Sequence, residues 1–322
     1  MSLMRYIVKR TLEAIPTILA IITINFLILN LAPGDPAYVL AGYEAPREFV
    51  ERLREQFGLN RPLHERYILY VLNVIQGNLG RSYTYNAPVI QVIAERIPAT
   101  LLLTGTSTVI AMILGLILGI IASKKPFTKA DVAVSITSLV FYSLPTFWTG
   151  IMFIMIFSLY LGLFPTQGMY NPQLQPGTLE FYLDLLHHAV LPVITLALVQ
   201  IALFTRITRV SMLEAMREDY VVTALAKGLD DNTILYKHVL RNAALPIVTV
   251  FGLRLGFIFA GAIIVETVYA WPGVGRLIYG AILSRDYPLI MGSFFILSLT
   301  VIASMILTDI LYAFLDPRVR LK

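Results

Sequence analysis

Few residues of this sequence have the types and spacing that catalysis or metal binding requires. His187 and His188 are adjacent, and adjacent residues do not share a helical face, so the pair does not indicate a metal site. His64-Glu65 lacks the second His of a zinc-protease helix, and no Gly-x-Ser-x-Gly elbow occurs. The absence of Cys excludes disulfides, thiolate metal sites and a cysteine nucleophile. We therefore expect no catalytic residue, no resident metal and no cofactor bound by this chain.

The composition indicates which elements must hold the remaining polar side chains. Charged residues make up 14% of the 322 residues and apolar residues 57%, with a mean hydropathy of +0.74. A soluble globular domain is about a quarter charged, so the composition excludes that class. The apolar residues also form long blocks without Asp, Glu, Lys or Arg, such as 14–34 and 287–308. Blocks of that length predict membrane-spanning helices.

Six segments are long and apolar enough to cross about 30 Å of hydrocarbon. They are residues 11–32, 98–123, 132–162, 189–209, 245–265 and 288–312. The third is longer than one crossing needs and too short for two, which favours one tilted helix bent near Pro145. The first is too long for the core of a signal peptide, so we interpret it as an uncleaved span. The predicted fold class is an all-α membrane protein with six transmembrane helices.

The positions of the cations indicate the direction of the spans. With six spans both termini lie on one side, and that side receives most of the Lys and Arg residues, whereas the short 163–188 loop on the other side has none. Cytoplasmic loops carry an excess of Lys and Arg, so both termini are predicted to be cytoplasmic. The chain is thus expected to be a multi-pass protein of the cell membrane. The same asymmetry accounts for the net charge of +5, and no nucleic-acid partner is expected.

The spans divide the chain into three parts. Residues 1–32 form the cytoplasmic N-terminus and first span, 33–97 an extracytoplasmic segment, and 98–322 the core domain with the remaining spans. Within 33–97, apolar residues recur at helical spacing in 46–57 and 62–76, and a third short helix is predicted at 88–97. These amphipathic helices predict a small cap on the outer rim of the bundle.

The cytoplasmic loop 210–244 has clear helix signals. Ser211 with Glu214 fits a capping box before a short helix that ends at Gly228. A second helix is predicted to start at Asp230 and to end before Pro246, which would begin the fifth span. Two helices joined at a Gly would form a compact projection, although an ordinary solvated loop with good caps fits the helical pattern equally well.

The same loop resembles the one with which binding-protein-dependent ABC importers contact their ATPase subunits. The resemblance lies in Tyr220-Val-Val-Thr-Ala-Leu-Ala-Lys-Gly228 and Arg241-Asn-Ala-Ala-Leu-Pro246. Further blocks resemble the dipeptide/oligopeptide branch of the family: Pro33-Gly-Asp-Pro36, Gly77-Asn-Leu-Gly-Arg-Ser82, Ile97-Pro-Ala-Thr100, Glu266-Thr-Val-Tyr-Ala-Trp-Pro-Gly-Val-Gly-Arg276, Arg285-Asp-Tyr-Pro288 and Asp316-Pro-Arg-Val-Arg320. The loop has Val222-Thr223-Ala224 where the broad importer consensus has Glu-Ala-Ala, and its Leu-Pro pair comes later. The peptide branch tolerates both differences.

The resemblance implies a fold like that of type I ABC importer permeases and a set of partners. These are a second homologous permease subunit, two cytoplasmic ABC ATPase subunits, an extracytoplasmic solute-binding protein and the lipid membrane. The chain has no Gly-x4-Gly-Lys-Ser/Thr loop, so ATP and Mg²⁺ are expected on the ATPase subunits. The implied ATPase-coupling residues are Asp219, Tyr220, Thr223, Ala224, Lys227 and Gly228. Ala224 and Gly228 would allow close approach, and Asp219 and Lys227 would orient the contact by charge.

Arg254 lies about nine residues, or about 13 Å, into the fifth span. A guanidinium at that depth must face a partner, a polar cavity or another subunit. Two interpretations satisfy this requirement. Arg254 either lines the translocation pathway, where it could meet a carboxylate of a peptide-like substrate, or pairs with an acid such as Asp309 of the sixth span.

The loop 266–287 contains the aromatic, bent segment Trp271-Pro272-Gly273. By resemblance, this segment helps to form an outer gate and the surface on which the solute-binding protein lands. An aromatic anchor at the membrane border is the alternative, because Trp serves equally well in both places.

The expected function is that of a non-catalytic permease subunit of an ATP-driven importer for di- or oligopeptides, with oligosaccharides or nickel as other cargoes of the family. A stand-alone secondary transporter or channel is the main alternative. It would need paired intramembrane acids or interrupted helices in two repeat halves, and the sequence has a single buried Arg and no clear repeat. An intramembrane enzyme would need a catalytic constellation that the sequence lacks.

Overall fold

The fold is that of a computed structural model, which describes residues 3–31, 37–38, 45–56, 60–258 and 262–315. These residues are predominantly helical, and among them only Arg81 and Pro88 form an isolated β-bridge. The helices used below are α1 (Leu3–Leu31), α2 (Arg47–Gln56), α3 (Leu63–Ile75), α4 (Val89–Lys124), α5 (Lys129–Ser143), α6 (Thr146–Tyr160), α7 (Leu179–Ala215), α8 (Asp219–Ala226), α9 (Asp231–Gly256), α10 (Ile263–Val268), α11 (Val274–Leu283) and α12 (Tyr287–Leu315). The predicted all-helical class is confirmed in the described part of the chain.

Helices α4, α7, α9 and α12 are long and apolar enough to cross a membrane, and α5 with α6 is a fifth candidate if the bent pair is one span. In α1, the apolar stretch runs over Leu12–Leu27. Each of these elements coincides with one predicted segment. An uninterrupted apolar sequence favours burial in lipid, and a helix pairs all its backbone N–H and C=O groups within the segment.

The third predicted span is bent more sharply than expected. Helices α5 and α6 meet at 97° across Leu144 and Pro145, so the prediction of one tilted helix was wrong in its continuity and right in the position of its bend. Proline disfavours helical geometry at the residue before it, and Leu144 is accordingly extended, with φ −74° and ψ 130°. One helix therefore ends at Ser143 and another begins at Thr146.

The fifth span also differs from the prediction at both of its ends. Helix α9 starts at Asp231 and passes through Pro246 without a break, so Pro246 does not begin a new helix. At the other end, Ala262 has non-helical φ −113° and ψ 74°, and α10 is a separate element. The loop helix and the span are thus one rigid rod, in which Ile234–Val239 forms a π-helical segment.

Small residues allow close contact between the long helices. A Cβ atom at Gly115 or Gly119 of α4 would collide with Phe204 or Thr208 of α7. On α9, a Cβ at Gly252 would lie 2.5 Å from Thr308 Oγ1 of α12, and Gly256 faces the same helix. Such close contacts are typical of Gly-x3-Gly pairs, in which small residues let two helices approach each other.

The three helices predicted for residues 33–97 are present as α2, α3 and the first part of α4. Helix α3 packs along the bundle: Tyr67 Oη lies 2.7 Å from Thr23 Oγ1 of α1, and Val74 is buried with Ile22 and Phe295. Gly77 ends this helix region with φ +76°, a conformation that favours glycine. The motifs at 33–36 and 316–320 lie outside the described residues.

Candidate functional site

The loop 210–244 forms a helical hairpin, which we call the coupling hairpin. Helix α7 continues to Ala215, so Ser211 and Glu214 lie inside it and do not form the predicted capping box. The short helix α8 begins at Asp219 instead, and the chain reverses at Gly228, whose φ of +75° is a conformation that favours glycine. Asp230 caps the next helix as predicted, because its carboxylate accepts a hydrogen bond from the Thr233 N–H at 3.0 Å. Hydrogen bonds from the side chain and the N–H of Thr233 lower the pKa of Asp230.

The coupling hairpin has a hydrophobic core of its own. Val221 and Ala224 of α8 are buried against Ile234, Leu235 and Val239 of α9. The same cluster includes residues of α7, and Tyr220 Oη donates a hydrogen bond to the Ala215 carbonyl at 2.9 Å. The hairpin is therefore a folded unit packed against the end of α7, and it is not an ordinary solvated loop.

The face of α8 that points away from this core is exposed. It presents Asp219, Thr223 and Lys227, all predicted coupling residues, next to the open position at Gly228. It also presents Val222 and Leu225, which are 65% and 53% exposed. Ala224, predicted to allow close approach of a partner, lies in the core of the hairpin, and Tyr220 is half-buried. Sequence reasoning did not single out Leu225, although its distance of three residues from Val222 placed it on the same helical face.

An ion pair connects α7, which supports the coupling hairpin, to α5. Arg209 of α7 donates two hydrogen bonds to Asp131 of α5, at 2.6 and 2.8 Å. The same carboxylate accepts the backbone N–H of Phe127 at 2.8 Å. This bidentate geometry fixes the start of α5 to the last turns of α7.

Arg254 is exposed on α9. Gly252 and Gly256 on the same helix face α12, and a residue midway between them points to the opposite side. The guanidinium therefore faces away from the sixth predicted span, which disfavours the pairing with Asp309, whose side chain lies outside the described part of the chain. Among the described residues, none forms a hydrogen bond or ion pair with the Arg254 side chain.

At the opposite end of the bundle, α10, α11 and their connection form a second hairpin, residues 262–283, which we call the outer hairpin. Its centre is Glu266, which has no exposed surface. The carboxylate accepts hydrogen bonds from the Arg276 N–H at 2.7 Å, the Ala262 N–H at 3.3 Å and the Thr100 hydroxyl at 3.2 Å. Burial raises the pKa of the Glu266 carboxyl, and the donated hydrogen bonds oppose that rise.

The predicted gate residues lie within the outer hairpin. Trp271 is fully buried, and its Nε1–H donates to the Ala99 carbonyl at 2.8 Å. Gly273 is buried beside the Glu266 carboxylate, where a Cβ atom would collide with it, and Pro272 is half-buried. Tyr269 Oη bonds to the Gly150 carbonyl at 3.2 Å. The segment thus fastens the outer hairpin to α4 and α6, with Trp271 buried inside it.

The two adjacent histidines fasten the nearby loop. His187 Nε2 donates to the Leu163 carbonyl at 2.7 Å, and His188 Nδ1 lies 3.3 Å from an Asp184 carboxylate oxygen. Asp184 also accepts the Asn171 N–H at 2.6 Å. His187 therefore contacts the 163–178 connection directly, whereas His188 supports it through Asp184 of α7.

Two family models match the chain. Residues 3–104 match the N-terminal part of binding-protein-dependent transport system membrane components, and residues 115–321 match the binding-protein-dependent transport system inner membrane component. Together they include both hairpins, in the order in which the sequence motifs occur.

Curated relatives align over nearly the full length. The oligopeptide transport system permease protein AppB of Bacillus subtilis (strain 168) is 38% identical over 316 residues, covering 98% of each chain. The di/tripeptide transport system permease protein DppB of Pseudomonas aeruginosa (strain UCBPP-PA14) is 37% identical over 334 residues, covering 99% of each. The glutathione transport system permease protein GsiC of Escherichia coli (strain K12) is 38% identical over 323 residues, covering 99% of this chain and all of that protein. The chain therefore belongs to the family of binding-protein-dependent transport system inner membrane components, and it is a multi-pass membrane protein of that family.

Proposed function

We propose that this chain is the permease subunit of an ATP-driven importer and forms half of the translocation pathway for di- or oligopeptides. The carrying observation is the coupling hairpin, a unit with its own buried core and an exposed face containing Val222 and Leu225. Exposed apolar side chains on a well-packed helix are typical of a contact with another protein. The proposed contact is an ATPase subunit.

The proposed topology has six spans with both termini and the coupling hairpin in the cytoplasm. It rests on the positive-inside distribution of Lys and Arg and on the apolar helices, with α1 as the first span and α5 with α6 as the third. Helices α2 and α3 and the outer hairpin then belong to the extracytoplasmic side.

The proposed assembly contains a second homologous permease, two cytoplasmic ATPases that bind ATP and Mg²⁺, and an extracytoplasmic solute-binding protein. This chain would contribute no catalytic group. Movement of an ATPase against Asp219, Thr223, Lys227 and Gly228 would be transmitted by α7 and α9, because both helices run unbroken from the coupling hairpin into the bundle. Tyr220 and Ala224 would act indirectly, by holding α8 in place.

Peptide cargo is proposed from the relatives, whose names specify oligopeptides, di- and tripeptides, and glutathione, a small peptide derivative. Arg254 is the proposed pathway residue, since its cation faces away from α12 and could attract a substrate carboxylate. For the outer gate, we propose that Trp271, Pro272 and Gly273 hold the shape of the outer hairpin while exposed neighbours such as Tyr279 meet the binding protein.

The decisive experiment is reconstitution of the chain with the partners encoded beside it, followed by measurement of binding-protein-dependent ATP hydrolysis with a panel of peptides and sugars. We expect peptides to stimulate hydrolysis and uptake. Gly228→Trp should abolish coupled transport, because a bulky side chain at positive φ would distort the turn that faces the ATPase. ATP-driven uptake at the normal rate by this variant, or uptake driven by an ion gradient without ATP, would contradict the proposal.

Arg254→Gln tests the pathway separately. A pathway role predicts a several-fold higher apparent KM for acidic or free-carboxylate peptides with little change in ATPase assembly. Arg254→Lys, which keeps the charge, is the matched control. Unchanged transport by Arg254→Gln would remove Arg254 from the pathway and leave the coupling proposal intact.

A further inference from the structure

A groove on the side of the bundle has features of a lipid site. It encloses about 380 Å³ between α4, α5 and α7. The lining is apolar apart from the hydroxyl groups of Thr137 and Ser138, and it includes the exposed side chains of Leu114 and Ile117, so the groove is open to the surroundings of the helix bundle. Its volume lies within the range of ordinary small-molecule sites, about 300–1,000 Å³.

On α5 and on α7, the helical face that lines the groove also contains a cation, and both cations lie at the same end of the groove. On α5, residues Ala133, Thr137 and Phe141 recur every four positions, and the preceding member of this series is Lys129. On α7, Leu198 and Ala202 line the groove, and the next member is Arg206. Residues at a spacing of four lie on one helical face, so both cations lie at the mouth of the groove.

These two cations are free to receive a ligand. Lys129 and Arg206 are exposed, and neither has a hydrogen-bond or ion-pair partner among the described residues. The neighbouring charges are already used: Arg209 is paired with Asp131, and Lys124 donates to the Asn232 side chain at 3.3 Å. The mouth thus has two uncompensated positive charges above an apolar channel.

We propose that this groove binds an anionic phospholipid, with one acyl chain along α5 and α7 and the phosphate at Lys129 and Arg206. Basic pockets between transmembrane helices bind anionic head groups, whereas a neutral lipid would leave both cations uncompensated. A transmembrane helix from another subunit would bring apolar surface against them and leave their charges unpaired. Because the groove lies between α5 and α7, the bound chain would also support the contact that Asp131 and Arg209 make.

The test uses the assembled transporter in nanodiscs and a Trp reporter inside the groove. Phe141→Trp is introduced together with Trp148→Phe, and the remaining native Trp271 is fully buried in the outer hairpin. The probes are phosphatidylglycerol and phosphatidylcholine with identical brominated acyl chains, which quench Trp fluorescence on contact. We expect phosphatidylglycerol to quench at a lower mole fraction, by about fivefold for each of the two cations, since each contributes about 1 kcal/mol.

Variants and controls distinguish the possible occupants. Lys129→Gln and Arg206→Gln should each reduce the preference for phosphatidylglycerol about fivefold. Lys237→Gln removes the same charge from the coupling hairpin and should leave the preference unchanged. Equal quenching by the two lipids in the reporter protein with Lys129 and Arg206 intact would overturn the proposal. Absence of quenching in the assembled transporter would also overturn it, because it would show that another subunit fills the groove.

Discussion

The two hairpins at opposite ends of the bundle use their side chains in opposite ways. In the outer hairpin, Glu266 and Trp271 have no exposed surface, and their polar atoms bond to α4 or within the hairpin. In the coupling hairpin, the buried core is small, and Val222 and Leu225 remain more than half exposed. The outer hairpin is therefore a fixed part of the bundle, whereas the coupling hairpin has an exposed apolar face, which we propose as the ATPase contact. Substitutions should accordingly change stability in the first and coupling in the second.

The largest effect on stability is expected from Glu266→Gln. The amide would place a donor against N–H groups that now donate to the carboxylate, and buried donors without acceptors cost about 1–3 kcal/mol each. We expect a loss of about 3 kcal/mol, measured as a lower thermal midpoint in detergent together with faster proteolysis of the outer hairpin. Glu218→Gln, at an exposed position before α8, is the control. An unchanged midpoint for Glu266→Gln would remove the distinction between the hairpins.

A smaller loss is expected from Gly273→Ala. The added methyl would collide with the Glu266 carboxylate, and overpacking of this kind costs about 1–3 kcal/mol. Gly280→Ala in α11 is the matched control, because nothing lies within 4 Å of its Cβ position. The thermal midpoint of Gly273→Ala should be lower than that of Gly280→Ala because of the collision. The midpoint of Gly280→Ala should equal or slightly exceed that of the native chain, since Ala favours helix. Equal midpoints would show that the carboxylate moves aside freely.

The smallest effect on stability is expected from Leu225→Ser, which changes only an exposed side chain of the coupling hairpin. Surface substitutions of this kind usually shift unfolding by about 0.5 kcal/mol or less. Coupling should nevertheless fall, measured as copurification of the ATPase and as binding-protein-stimulated hydrolysis. Leu229→Ser, just beyond the turn, serves to compare a neighbouring apolar position. Full assembly and stimulation of Leu225→Ser would exclude this face as the ATPase contact.

The elements that could be predicted from the sequence are those whose cause is local. The apolar blocks predicted the long helices, Pro145 predicted the position of the bend, and Gly228 predicted the turn after the short helix, where it has positive φ. The errors arose where local signals compete with packing. Ser211 and Glu214 have the spacing of a capping box, yet they lie inside α7, because a buried stripe along that helix continues to Ala215.

The role of Glu266 could not be predicted, although the residue stands in a recognised motif. Its partners come from Thr100, far away in the sequence, and from backbone N–H groups whose direction is set only when α10 and α11 fold back on each other. Ala224 is a second example, since its burial depends on the contact between α8 and α9.

The sequence by itself determined the helical class, the membrane environment, the family and the positions of both hairpins, because hydropathy, turn residues and motifs act over a few neighbouring residues. Only the tertiary structure decided which hairpin side chains are buried and which remain exposed. Burial depends on contacts between residues distant in the chain, and no local pattern records which face of a short helix meets its neighbour.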